Sequence, residues 1–293
     1  MNKTDTFFLI HNYNSNPKEL LEYCKDYLIV DCSDDGQTPD ILKSSNYNYI
    51  TRPNTGQNIT SYFHYFIDNY GNLPDHIALL KGHIIGRHVS KDYFDRVYNN
   101  KWFTYLYQEQ NMWDKYGKGG DEDSIASLLS ETEYLELNNS WYMNQSHEYK
   151  YFYNMDDFYK FVYKDPVIPR YCTFSPGGCY IVCKEQVLKN SKSFYKNLNK
   201  LMEYRMETNF PAEAFLIERL LPWIFTSRLE VNPWMEDEEK FDQMLTKCEE
   251  SVTLYREWNS LHLKRFRIML GAKEPIFLQP ADQTSKNSCH LCK

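Results

Sequence analysis

No stretch of this chain is apolar for long enough to cross a membrane, because a spanning helix needs about twenty consecutive apolar residues. The N-terminal apolar stretch, Phe7–Ile10, ends at His11 and is also too short for the core of a secretory signal. Eight cysteines without such a signal are expected as reduced thiols, with the protein cytoplasmic. Basic charge is in deficit: 33 Lys and Arg against 40 Asp and Glu leave a net charge of −7. That balance argues against nucleic acid as a partner, since non-specific binding needs a basic face. Standard phosphate loops are missing as well. PNTGQN (Pro53–Asn58) lacks the Lys-Ser/Thr ending of a Walker loop and is not a dinucleotide GxGxxG. No G-x-S-x-G or Ser-His-Asp arrangement points to a serine hydrolase. Cys289, His290 and Cys292 have no second ligand pair at zinc-site spacing, so they read as part of a tail.

What remains is a chain of 293 residues, 42% hydrophobic, enough for one large core or two modest ones. The spread of apolar residues favours a main domain over 1–228, a helical extension over 229–272 and a poorly ordered tail over 273–293. Thr6–His11, Tyr27–Asp31, Tyr47–Thr51, Ile77–Leu80 and Cys179–Val182 read as strands. A helix opens at Pro17 and runs to about Tyr23, because proline is tolerated in a first turn. Asn54 or Thr55 caps the next helix, where Ile59, Tyr62, Phe63, Phe66, Ile67 and Tyr70 form one apolar stripe. Helices are also expected over Lys91–Tyr98, Ser191–Met206, Ala212–Phe225 and Lys240–Leu270, and a loop over Gly117–Asp123. Leu135–Pro169 carries no clear period. Strands alternating with helices predict an α/β fold on a mainly parallel sheet.

In such sheets ligands bind beyond the carboxyl ends of the strands, which directs attention to the segments that follow them. LLKGHIIGRH (Leu79–His88) places Lys81, His83, Arg87 and His88 after a buried strand. These side chains can hold a diphosphate, and His83 or His88 can ligate a metal; a basic surface loop is the plain alternative. VDCSDDGQTPDIL (Val30–Leu42) ends a strand on Asp31 and follows it with Asp34 and Asp35. Carboxylates there accept hydrogen bonds from base or ribose, or they cap a solvated turn. Gly56 permits close backbone approach at a helix entrance. Glu213 lies in a first helical turn, where the dipole favours its ionised form, and it serves either as a general base or as helix-end stabilisation. Glu218 sits among Leu216, Ile217, Leu220 and Leu221 and is expected to be joined to another segment, because a buried carboxylate needs a partner. Arg219 is too near in sequence to face it. Asp121-Glu122-Asp123 and Asp156-Asp157 are weaker metal candidates.

In chain order, Asn54-x-Gly56, Tyr62, Ile67-x-Asn69-Tyr70, Leu73-Pro74-Asp75, Leu80-Lys81-Gly82-His83, Pro176-Gly177-Gly178, Phe194-Tyr195 and Glu218-Arg219 with Trp223 and Phe225 resemble a family of uncharacterised proteins of fungi, bacteria and large DNA viruses. The match covers roughly residues 45–228, and that family in turn resembles glycosyltransferases of the GT-A fold. The resemblance implies a hexosyltransferase-like activity moving a sugar from a nucleotide-sugar donor to a hydroxyl on a glycan or protein acceptor. It implies Asp31, Asp34, Asp35, Asn54, Gly56, Lys81, His83 and Arg87 on the nucleotide and diphosphate, Gly177 and Gly178 on the acceptor side, and Glu213 as base, with Glu218 the other catalytic carboxylate. GT-A enzymes usually hold Mn²⁺ or Mg²⁺ through a D-x-D after the central strand; here that position reads Lys81-Gly82-His83. Two other readings stand beside this one: a non-catalytic carbohydrate-binding or assembly protein on the same fold, and a metal-dependent hydrolase using His83, His88 and nearby aspartates.

Overall fold

The computed structural model describes residues 2–108, 134–137, 151–152, 155–203 and 213–247. Its centre is a six-stranded sheet made of β1 (Phe7–Asn12), β2 (Tyr27–Asp31), β3 (Tyr49–Thr51), β4 (His76–Lys81), β5 (Thr104–Tyr105) and β8 (Tyr180–Cys183). The order is β3-β2-β1-β4-β8-β5. The first four strands are parallel, β8 runs antiparallel to β4, and β5 antiparallel to β8. A separate pair, β6 (Tyr134–Leu137) and β7 (Tyr171–Phe174), is antiparallel. The α/β architecture with a mixed, mostly parallel sheet is therefore as the alternation of strands and helices predicts. Among the described residues no helix is long and apolar enough to cross a membrane.

The central strands carry apolar residues in unbroken runs because both faces are covered. The pleat sends Phe8 and Ile10 into one hydrophobic cluster and Leu9 into the other. The smaller cluster lies under a 3₁₀ turn (Leu20–Glu22), α1 (Thr38–Ser44) and α3 (Lys91–Val97). The larger joins α2 (Gln57–Asp68), α4 (Met155–Val162), α5 (Lys184–Leu188), α6 (Lys192–Met202) and α7 (Glu213–Thr226). A helix running from 238 through 247 adds Phe241 and Leu245 to that same cluster. Ion pairs Lys196–Glu238 and Lys200–Asp242, at 2.7 and 2.8 Å, tie it to α6.

Several elements differ from the sequence reading. The helix expected from Pro17 is only the three-residue 3₁₀ turn, since the chain must return by Cys24 to bridge Thr4. The first strand extends to Asn12 and the third begins at Tyr49. The main α2 helix starts at Gln57 with Gly56 as its N-cap, beyond Asn54 and Thr55, and no side chain caps it. Within Leu135–Pro169 the structure contains part of β6 and all of α4, an eight-residue helix with its apolar residues on one face. The Gly117–Asp123 loop, the carboxylates at 121–123, the terminal cysteines and the stretch beyond 247 lie outside the described residues.

Candidate functional site

Strand β1 is flanked by β2 on one side and β4 on the other, so the chain reverses its direction of travel across the sheet here. The crevice beyond the carboxyl ends at such a switch point is where open α/β sheets receive ligands. The pleat divides the residues at this edge into two sets.

On the α1 face stand Asn12 and Asp31, register partners that are both fully buried. Asp31 Oδ1 accepts hydrogen bonds from Asn12 Nδ2 at 3.1 Å and Ser33 Oγ at 2.7 Å. Ser15 Oγ in turn donates to Asn12 Oδ1 at 2.6 Å. Gly82 presses on this group: a Cβ there would lie 2.4 Å from Asn12 Oδ1 and 2.6 Å from Ser15 Oγ. Asp31 Oδ2 is buried with no partner, and an unmade hydrogen bond at such an atom costs about 1–3 kcal/mol. Asn12, outside the predicted strand by one residue, was not legible as part of this group.

The other two aspartates of the acidic turn have local duties. Asp34 takes hydrogen bonds from Tyr13 Oη and Asn14 Nδ2, both at 2.8 Å, which hold its carboxyl below the usual range. Asp35 caps α1 through Thr38 N at 2.9 Å and Thr38 Oγ1 at 2.7 Å, with the same effect. Asn54 is exposed in the loop ahead of α2. Gly56 is closed in, because a Cβ there would stand 2.5 Å from Thr60 Cγ2 and 2.9 Å from Met202 Sδ, and its N–H donates to Thr60 Oγ1 at 3.2 Å. Its glycine is required by packing on α6.

On the α2 face the β4 loop brings basic groups together. Ile84, fully buried, anchors a tight curl in which Arg87 N and His88 N both donate to Ile84 O. Arg87 Nη1 contacts His83 Nε2, while His83 Nδ1 and His88 Nε2 are buried without partners. Burial first, then the positive charges of Lys81 and Arg87, push the His88 pKa down to about 3 and lower that of His83. His11, the register partner of Lys81, is pushed to about 3 by burial and then by Lys81; it is held by Ser61 Oγ at 2.9 Å from Nδ1. The cationic form of each imidazole is thus disfavoured, first by burial and then by the neighbouring positive charges.

Facing this loop is the Pro176-Gly177-Gly178 turn. Gly177 has φ +91° and Gly178 φ +62°, and a Cβ on Gly177 would lie 2.9 Å from His88 Nε2. The turn is clamped from two helices: Gly177 N donates to Glu218 Oε1 at 2.7 Å, and Asn58 Nδ2 donates to Gly177 O at 2.9 Å. Asn58 is a polar residue on the apolar face of α2, which is the signal that identifies it. Glu218 is indeed joined to a distant segment. Against the sequence expectation, Arg219 does approach it, with Nη1 3.6 Å from Oε2. The Arg219 guanidinium also donates to Phe215 O and lies over the Phe174 ring. Pro222 inside α7 lacks the N–H that would bond the Glu218 carbonyl.

Lys81, His83, Arg87, His88, Gly177, Gly178 and Glu218 are therefore gathered, with Asp31 on the other face of the same edge. Glu213 is placed differently. It is fully buried, and its Oε1 accepts the Tyr151 N–H at 2.6 Å, so it anchors backbone in the interior. Among the described residues no group of three His, Cys, Asp or Glu side chains is placed to hold a metal ion. Where a D-x-D would stand, the side chains offered are an ammonium and an imidazole already engaged by a guanidinium. This donor set does not fit Mn²⁺ or Mg²⁺, which take oxygen ligands.

A family model described as a protein of unknown function (DUF3431) matches residues 24–240, and the chain belongs to that family. No curated protein and no solved structure matches it.

Proposed function

We propose that this member of DUF3431 is a glycosyltransferase that moves a sugar from a nucleotide-sugar donor to a hydroxyl acceptor. The observation that carries the reading is the meeting, at the switch point of the sheet, of a cationic β4 loop with a glycine turn held by a carboxylate. The base or ribose lies over the end of β2, where the buried Asp31 orders Asn12 and Ser33. The diphosphate lies along the β4 loop against Lys81 and Arg87. The acceptor enters over Gly177 and Gly178, whose lack of side chains leaves room for a substrate backbone or ring.

Glu218 takes the proton of the acceptor hydroxyl as its oxygen attacks the anomeric carbon. The bond from that carbon to the diphosphate oxygen breaks, and its electron pair leaves with the nucleoside diphosphate. Lys81 and Arg87 stabilise the added negative charge, which is greatest at the transition state. Glu218 suits the role better than Glu213 because its side chain is 17% exposed, whereas Glu213 is sealed from solvent. A thermal-shift screen against nucleoside diphosphates and nucleotide sugars tests the reading. A ligand at a hundredfold excess over its Kd stabilises the folded state by about 2.7 kcal/mol; a flat response to every nucleotide overturns it.

The carbohydrate-binding alternative has one observation in its favour. An open surface hollow of about 240 Å³ is lined by Val167, Trp223, Thr226, Ser227 and Leu229 at the far end of α7. Trp223 packs on Tyr159 with ring centroids 4.5 Å apart. Apolar walls with a few placed polar atoms suit a sugar ring. Glycan binding that needs no nucleotide and is lost in Trp223→Ala would favour this second reading.

A further inference from the structure

We propose that the site neutralises the donor diphosphate with its own side chains, Lys81 and Arg87, in the place a divalent metal occupies in the enzymes the chain resembles. The inference rests on the glycosyltransferase reading and specifies how that same site handles charge. Three observations support it. First, the position that follows β4 carries Lys81 and, one curl of backbone later, Arg87, with Arg87 braced on His83. A guanidinium and an ammonium match phosphate oxygens directly, the former in a bidentate fork.

Second, His83 and His88 share the loop with Lys81 and Arg87, and His11 is the register partner of Lys81. His11, His83 and His88 each have their cationic form disfavoured by burial and then by the neighbouring positive charges. Burial penalises any charge, but the smaller coulombic part comes from Lys81 and Arg87 and disfavours a further cation while favouring an anion. Third, the carboxylates of this edge are not grouped to hold a metal among the described residues. Glu218 receives Gly177 N, Asp31 receives Asn12 and Ser33 from the opposite face of the sheet, and Asp35 caps α1.

In the transfer step the metal-free site needs no other reactant. The acceptor C–O bond forms, the anomeric C–O bond to the diphosphate breaks, the proton rests on Glu218, and the departing charge is met by Lys81 and Arg87. Neutral His83 and His88, with buried unpartnered nitrogens at Nδ1 and Nε2, supply N–H donors or acceptors that complete the lining without adding charge.

The test is calorimetric titration of the full chain with UDP, GDP, ADP and CDP, first in EDTA and then with Mn²⁺. One diphosphate is expected to bind in EDTA with its affinity unchanged by Mn²⁺. Lys81→Ala/Arg87→Ala is expected to lose about 10- to 100-fold in that affinity, the effect of removing charge-assisted hydrogen bonds. Binding that appears only with Mn²⁺ overturns the inference and leaves the transferase reading standing. Absence of binding under both conditions overturns the reading itself and the inference with it. Should the double variant fail to fold, the comparison of EDTA with Mn²⁺ on the native chain still decides.

Discussion

Replacing Gly177 by alanine tests whether the glycine turn is set against the β4 loop as described. The backbone there has φ +91°, a region in which a side chain costs on the order of 1–3 kcal/mol. The new Cβ would also stand 2.9 Å from His88 Nε2 and 3.0 Å from Cε1. The ring end that meets it is buried, so the His88 side chain can swing away only by displacing its neighbours. Overpacking of this kind adds about 1–3 kcal/mol. The two effects together should destabilise the fold by about 2–6 kcal/mol, which at roughly 2–4 °C per kcal/mol is a large fall in melting temperature. Thermal unfolding of Gly177→Ala, His88→Ala and the double variant separates the contributions. The double variant should recover the contact part and retain the backbone part, giving a coupling of about 1–3 kcal/mol between two positions 89 residues apart (177 − 88). A loss from Gly177→Ala that is the same with or without His88 would refute the placement of the turn on the loop.

Other consequences follow from the same geometry. Glu218→Gln keeps an acceptor for Gly177 N but removes the base, so turnover should fall by about 10²–10⁴ with the fold retained. Glu213→Gln, by contrast, should act on thermal stability; kinetic loss confined to Glu213→Gln would reverse the two roles. Asp31→Asn should weaken nucleotide binding by about tenfold through loss of the charged acceptor that orders Asn12 and Ser33, and titration with the bound nucleotide reads this directly. Stability should also decline between pH 6.5 and 4. His11 and His88 have folded pKa values of about 3, below the ordinary value of about 6.5. The unfolded chain therefore takes up protons first; the contribution is complete above pH 6.5 and lost as the pH falls toward 3. Each group contributes at most about 1.4 kcal/mol per pH unit in that window. Urea unfolding at pH 7 and pH 5 measures the slope, and a slope that persists in His11→Asn/His88→Asn would remove these histidines as its cause.

Much of the fold can be read along the chain because the informative interactions are local. β2 is Tyr27–Asp31 by both routes, since an apolar run ending on Asp and entering an Asp/Gly turn has few other conformations. The amphipathic stripe of α2 identifies the helix, but not its start at Gln57 or the closing of Met202, far along the chain, on Gly56. The Pro17 helix contracts to a single turn because the Thr4–Cys24 bridge limits the residues available. The basic loop after β4 is visible as a motif, as are the two glycines and the two glutamates.

What the motif alone could not decide is which of these groups share a site. The chain by itself determined the α/β class, the burial of β1 and β4 and the presence of Lys81, His83, Arg87 and His88 beyond a strand, all consequences of short-range pattern and backbone preference. Only the tertiary structure separated Asp31 from Asp34 and Asp35, because the strand pleat and the cap of α1 assign neighbouring carboxylates to different surroundings. It likewise distinguished Glu218, held at Gly177, from Glu213, held at Tyr151. Residues five apart on one helix lie about 140° apart around its axis, so the same spacing that makes both carboxylates visible directs them to different environments.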